Sequence, residues 1–436
     1  MTTQLIVTRE HTADGLLPVR HLSYSAIRSF LQSENLFFKR YVRLEFDNKE
    51  KPSMLVGKAA HETTEKFWQD LLNAPATIKA CEDQLGNGED SGLATKTQEL
   101  ARSDRHADFY AQHAQGVLTR MLKEARAKAA ERLGFKIIAV GTEEEPDTAW
   151  AKNGEILDQD EVQAAIEAEA IEWSKTVNEE KAREHLDIAV RNYVRNADDS
   201  TTISTEVMET VEFSDLEGDI MPLPLKGIID RIERHPEHGE GLRDYKFVAG
   251  FSNPDERNAG YELQAAAFYF VYQGIRGKAP EFAMFEEVLK KEPGYILPEE
   301  PNRRLLQADL KELCDKHGIV YEKYSKNAEL QASLVAAGVL KKESSVQRIV
   351  YKYADRQDIL EAFLEIYKRI LNRLGLIALY NVPYGELVNP FDQMNGSEAW
   401  QDFTEGLGQG ADTMKRAEKE KESSSNESST LDEYDF

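Results

Sequence analysis

The chain has 436 residues, 41% of them hydrophobic, and 54 Lys and Arg against 78 Asp and Glu give a formal net charge of −24. This composition supplies a packed core and excludes global disorder, while the acidity excludes coating of DNA or an anionic membrane by bulk charge. Cys81 and Cys314 are too few for a disulfide framework, a zinc ribbon or a four-cysteine iron–sulfur cluster.

No apolar run approaches the ~20 residues of a membrane helix. The N-terminus lacks a basic region followed by an apolar run, so no signal peptide is expected and the reading is a soluble, cytoplasmic protein. After an N-terminal extension (1–21), residues 22–46 read as one capped helix, with Ser23 or Ser25 as the cap and Ile27, Phe30, Leu31, Phe37 and Phe38 at helical spacing. A second helix is expected to open near Gly57 and to carry Ala59, Ala60, His61, Thr64, Phe67 and Trp68. Residues 94–133 and 159–196 read as long charged helices, with a strand at Phe135–Val140 and a loop at Gly141–Pro146 between them.

The texture then changes. Segments 203–213, 223–232 and 242–248 are β-branched and separated by Gly, Pro, Asp and His clusters, so they read as consecutive antiparallel strands. A helix at about 259–275 and a strand near 282–290 follow, then a polar insert with two short helices, and a strand at 346–353 and helix at 355–375 return to the core. The order implies an α/β (α+β) core with a small mixed β-sheet flanked by helices, plus long helical insertions. The expected organisation is a core over 22–298 interrupted by helices at about 76–200, an insert at 299–345, a C-terminal part of the core at 346–395, and a polar region at 396–436 ending in a disordered acidic tail.

Two acids stand where the strand pattern calls for core. Ile228, Asp230 and Ile232 alternate onto one face, as do Leu242, Asp244 and Lys246 in the next strand. Isolated carboxylates in such places cost several kcal/mol each, roughly, unless a positive group compensates, and a hard divalent cation is the natural candidate. Asp-x-Lys by itself favours a plain cross-strand salt bridge.

The surrounding residues change that balance. The Ser-x-Ser helix (Ser23, Ser25) ending in Lys39-Arg-Tyr-Val, Gly57-Lys-Ala-Ala-His61, Gly227-Ile-Ile-Asp230-Arg, Asp244-Tyr-Lys246, and Gln264 with Phe268 and Tyr269 close behind stand in a meaningful order. Together they resemble the RecB-type branch of the PD-(D/E)XK nuclease superfamily, without the iron–sulfur cysteines of some relatives. The resemblance implies a restriction-endonuclease-like core. It further implies that His61, Asp230 and Asp244, with the carbonyl of Tyr245, hold Mg²⁺ or Mn²⁺, that Lys246 is the catalytic lysine, and that Gln264 with Phe268 or Tyr269 positions DNA. An auxiliary acid falls on Glu206, Glu209 or Glu212. Ile229 stands where the superfamily's name has proline, and Phe268 where its Gln-x-x-x-Tyr element has tyrosine.

The expected activity is a metal-dependent deoxyribonuclease, an exonuclease serving DNA recombination, repair or replication; the alternative is a catalytically inactive DNA-end-binding or recruitment protein. Both Gly-Lys pairs (57–58 and 277–278) precede alanine, so no P-loop is legible, and a helicase is expected only as a partner. The insert at 309–340 reads either as a SAP-like DNA-binding module or as a surface hairpin. The terminal Leu431-Asp-Glu-Tyr-Asp-Phe436 reads as a solubilising tail or as a tip like that of single-stranded-DNA-binding proteins, which recruits a replication partner.

Overall fold

In a computed structural model the protein is described over residues 4–45, 49–85, 103–139, 148–153, 155–253, 256–299, 305–322 and 324–380, side chains of 74–85 and 139 excepted. The acidic tail, the 141–146 loop and the Cys81 side chain lie outside the described residues. In chain order come α1 (Arg9–Ala13), β1 (Leu22–Ser23), α2 (Tyr24–Gln32), α3 (Glu34–Phe37) and a π-helical turn at Phe38–Val42. A helical layer follows: α4 (Pro52–Leu85), α5 (Asp104–Leu133), α6 (Gln159–Ala170) and α7 (Glu179–Arg195). A small antiparallel sheet of β2 (Lys136–Ala139), β3 (Thr148–Lys152) and β4 (Glu155–Ile156) interrupts it. The main sheet then takes β5 (Thr201–Val211), β6 (Leu225–His235), β7 (Gly239–Val248) and, after α8 (Ala259–Arg276), β8 (Phe282–Leu289). The insert contributes β9 (Tyr295–Ile296), α9 (Gln307–Lys316), α10 (Asn327–Ala336) and β10 (Lys341–Lys342); β11 (Val346–Lys352) and α11 (Gln357–Tyr380) complete the described chain.

The expected helix over 22–46 is broken. Leu22–Ser23 extends to pair in parallel with Leu225–Lys226, and Ser23 then caps α2 by accepting from the Ala26 N–H. Ser33, extended at φ −166°, ends α2 and caps α3 through its side chain. The helix expected over 159–196 also divides, because Ile171 leaves α6 to bridge Glu50. Helix α4 opens at Pro52 rather than near Gly57, as suits proline's fixed φ in a first turn.

The main sheet is mixed. β5, β6 and β7 are antiparallel neighbours, β8 lies parallel to β7 through the α8 crossover, and β11 pairs antiparallel with β8. One face packs on α2, α8 and α11 through Leu225, Ile229, Leu242, Leu263, Phe270 and Phe363; the other packs on α4, α5 and α7 through Tyr245, Phe247, Phe67, Leu118 and Tyr193. The protein is therefore a helix–sheet–helix sandwich, as the order of elements implied. Gly227 lets α8 come close, since a Cβ there would stand 2.8 Å from a Val271 methyl. The insert has an apolar cluster of its own, built on Leu310, Cys314, Leu330, Leu334 and Leu340. Among the described residues no helix is long and apolar enough to cross a membrane.

β6 and β7 do not stay together. They pair from His235 opposite Gly239 down to Arg231 opposite Arg243, and there the ladder stops. Beyond it β7 continues against β8 as far as Val248, while the same edge of β6 is taken by β1 only at Leu225–Lys226. β5 covers the opposite edge of β6, so residues 227–230 face a gap between β1 and β7. Asp230 and Asp244 are the first residues past the last rung, at the root of this fork.

Candidate active site at a strand fork

The carboxylate of Asp230 replaces the ladder bond that the fork removes: its Oδ2 accepts the Tyr245 main-chain N–H at 2.8 Å. The same oxygen lies 3.3 Å from Nδ1 of His61. Helix α4 delivers that imidazole by simple periodicity. Residues 55, 59, 63, 67 and 56, 60, 64, 68 form its buried rows, and the adjacent row of His61, Glu65 and Gln69 runs along β5 and β6. Ala59 and Ala60, both fully buried, let the helix approach closely.

Asp244 has separate partners. Lys246 Nζ stands 2.8 Å from its Oδ2, and Nε2 of Gln264, from α8, donates to its Oδ1 at 2.8 Å. The Asp244 side chain is 6% exposed and that of Lys246 20%, so the pair is largely withdrawn from solvent, the acid more than the lysine. Tyr24 from α2 and Tyr261 from α8 also lie in the field of Asp244, and Tyr261 donates its hydroxyl to Glu287 of β8 at 2.7 Å.

Burial disfavours the His61 cation, but the Asp230 carboxylate outweighs it and holds the imidazole pKa above its usual value. Burial disfavours the Asp230 anion too, yet His61 and the Tyr245 N–H bring its pKa below normal. Asp244 differs: burial, with Asp230 adding repulsion, overcomes Lys246 and raises its carboxyl pKa. Burial lowers the Lys246 ammonium less than Asp244 raises it, so this lysine stays charged at neutral pH and suits electrostatic stabilisation better than proton abstraction. Beside the group, the Glu65 carboxyl is pushed up to about 7 by burial first and then by its hydrogen bond to Glu206.

His61, Asp230, Asp244, Tyr245, Lys246 and Gln264 are thus brought together from α4, β6, β7 and α8. Phe268 and Tyr269 are not. Phe268 follows Gln264 by one turn but is 3% exposed in the core, and Tyr269 packs edge-on against Phe270 and Tyr353. The aromatic residue beside the acids on α8 is Tyr261, three residues before Gln264 and therefore on a shared face, a relation readable from helical spacing. The expected aliphatic setting of Asp230 also needs correction: Ile228 is 44% exposed because the fork leaves its edge of β6 open, and only Ile232 is buried. Of the three auxiliary acids, Glu206 reaches the site's edge through Glu65, with its backbone at φ +43°, while Glu212 pairs with Arg9. The partly buried Glu65 had no sequence signal beyond standing one turn after His61.

Among the described residues, no three His, Cys, Asp or Glu side chains close around one ion-sized point; His61 and Asp230 face each other, and Asp244 faces Lys246 and Gln264. The donor chemistry nevertheless fits a hard divalent cation. A buried carboxylate, a half-buried one and an imidazole stand around the fork, and Asp244 Oδ2 has a charge beside it but no aligned hydrogen bond.

The sequence profile of the PD-(D/E)XK nuclease superfamily matches residues 140–375, more than half of the chain and all the sheet-borne site residues. The chain belongs to the PD-(D/E)XK nuclease superfamily. Superfamily membership accounts for the mixed sheet flanked by helices and gives nuclease as the class of activity, a class that typically uses divalent metal ions. The match starts well after His61, so the imidazole enters this PD-(D/E)XK site from a helix outside the matched region. No curated protein matches the chain.

Proposed function

We propose that the chain is a RecB-type, cation-dependent deoxyribonuclease that removes nucleotides from DNA ends during recombination, repair or replication. The observation that carries this reading is the fork, where Asp230 and Asp244 leave the ladder beside a charged lysine and an imidazole. His61, Asp230, Asp244 and the carbonyl of Tyr245 would hold Mg²⁺ or Mn²⁺. Such an ion lowers the pKa of a bound water and polarises a phosphoryl oxygen.

The chain's own groups have distinct tasks. The Lys246 ammonium stabilises negative charge developing on the scissile phosphate, from a largely buried position where solvent screening is reduced. Gln264 fixes the orientation of the Asp244 carboxylate. His61 and the Tyr245 N–H fix that of Asp230. A protein of net charge −24 attracts a polyanion only where cations and lysine offset its acidity locally, which makes the fork the point of engagement. With no legible P-loop, strand separation falls to an ATP-driven helicase partner, and a single-stranded-DNA-binding protein is a second candidate partner.

The test compares end-labelled, blocked-end and circular DNA incubated with Mg²⁺ or Mn²⁺. Degradation of free-ended DNA alone, abolished by chelation, not supported by Ca²⁺ and lost in Lys246→Ala, is the expected result. Wild-type cleavage by Lys246→Ala overturns the assignment. Failure of the wild-type protein to cut any substrate it binds favours an end-binding role instead.

A further inference from the structure

Immediately behind the two acids, on the α4 side of the sheet, lies a buried ionic cluster that the proposed chemistry does not use. The last rung of the β6–β7 ladder sets Arg231 directly opposite Arg243, both fully buried. Like charges in that relation repel, so the rung needs a reason to persist. Glu233 supplies part of it, 3.0 Å from Arg231 Nη1 and 2.8 Å from Arg243 Nη2. Glu286 of β8 takes Arg243 Nη1 at 2.8 Å, and Asp198 and Ser200 close the remaining side. Arg348 of β11 reaches Glu286 at 2.6 Å, so three guanidinium groups balance three carboxylates. Arg231 also lies 3.3 Å over the ring of Trp68, seven residues beyond His61 on α4.

The cluster therefore joins every element that carries a proposed cation ligand: α4 through Trp68, β6 through Arg231 and Glu233, and β7 through Arg243, with β8 as the anchor. Each arginine adjoins an acid of the fork in sequence, Asp230–Arg231 and Arg243–Asp244, so movement of the rung moves the acids.

We propose that Arg243 and Arg231, clamped by Glu233 and Glu286, are positioning residues that fix the opening of the fork and hence the cation-holding span between Asp230 and Asp244. This rests on the nuclease reading for its purpose but not for its geometry. A lysine at 243 keeps the charge yet loses the planar fork that grips several carboxylates at once.

The test uses the full chain carrying Arg243→Lys, with Glu286→Gln as the second variant should the first fail to fold. Two quantities are read besides cleavage: hydrogen exchange of the Tyr245 amide, whose bond to Asp230 spans the fork, and the rise in melting temperature on titrating Mn²⁺ without DNA. Arg126→Ala, which breaks ion pairs in the helical layer to Glu167 and Glu179, is the control for general destabilisation. The expected result is loss of Tyr245 protection by about 10-fold and a Mn²⁺ requirement raised about 10–100-fold, as for other outer supports of metal ligands, with neither change in the control. Unchanged Tyr245 protection in a folded variant overturns the proposal, as does an equal loss in Arg126→Ala. If Mn²⁺ fails to stabilise even the wild-type protein, the cation reading falls, and Tyr245 exchange alone decides whether the rung positions the fork.

Discussion

Replacing Asp244 by asparagine separates the stability of the fork from its chemistry. Asparagine keeps the shape; with its Oδ1 turned to Lys246 and its Nδ2 to Gln264, whose amide flips to present Oε1, the hydrogen bond to Gln264, worth about 1 kcal/mol, survives. The contact with Lys246 falls from an ion pair to a hydrogen bond between an ammonium and an amide oxygen, which for this mostly buried pair costs about 1–2 kcal/mol. Against this, the native carboxyl has a pKa raised by burial and by Asp230, so at neutral pH its ionised form opposes folding, and a neutral side chain removes that opposition. The two effects nearly cancel, and the melting temperature should move by no more than about 2–4 °C. Cleavage should fall by about 10³-fold, roughly 4 kcal/mol of transition-state stabilisation. Differential scanning fluorimetry beside an end-labelled DNA assay measures both. A variant that cuts at the wild-type rate, or one that melts far below it, would make Asp244 half of an ordinary structural ion pair and refute the reasoning.

Other outcomes follow from the same geometry. Glu65 has its pKa raised to about 7, so its contribution to stability is complete below the ordinary value of 4.5 and is lost as pH rises through 7; Glu65→Gln should flatten the melting-temperature profile between those limits. The His61 pKa is raised above 6.5, so the stabilising His61–Asp230 pair weakens as pH rises through the folded value. Mn²⁺ competes with that proton, and its stabilising effect on the wild-type protein should grow as pH rises above the ordinary imidazole value of 6.5, but not in His61→Ala. Gly241→Ala would set a Cβ 2.3 Å from the Phe282 carbonyl oxygen, so urea unfolding should report a loss of about 1–3 kcal/mol; an unchanged midpoint would show that β7 and β8 can part without cost.

The sequence by itself determined most of the elements and the residue types that the proposed chemistry uses. Alternation placed Asp244 and Lys246 on one face, near enough for the 2.8 Å contact that the structure shows. The β5–β6–β7 meander, α8 and the insert helices were legible for the same reason: period and turn residues are local properties. Tertiary structure decided what depends on pairing between distant segments. Leu22–Ser23 became a strand because Leu225–Lys226 offered a free edge, which no propensity at residue 22 records. Phe268 went to the core because α11 and β1–α2 cover that side of α8, leaving Tyr261 beside the acids. Arg231 and Arg243 are buried because their rung, Glu233 and Glu286 meet inside the sandwich, which no local pattern records. The fork itself belongs to neither strand: it exists because β7 follows β8 while β6 turns to β1, and that choice of partners leaves both carboxylates at its root, Asp230 against the imidazole and Asp244 against the lysine.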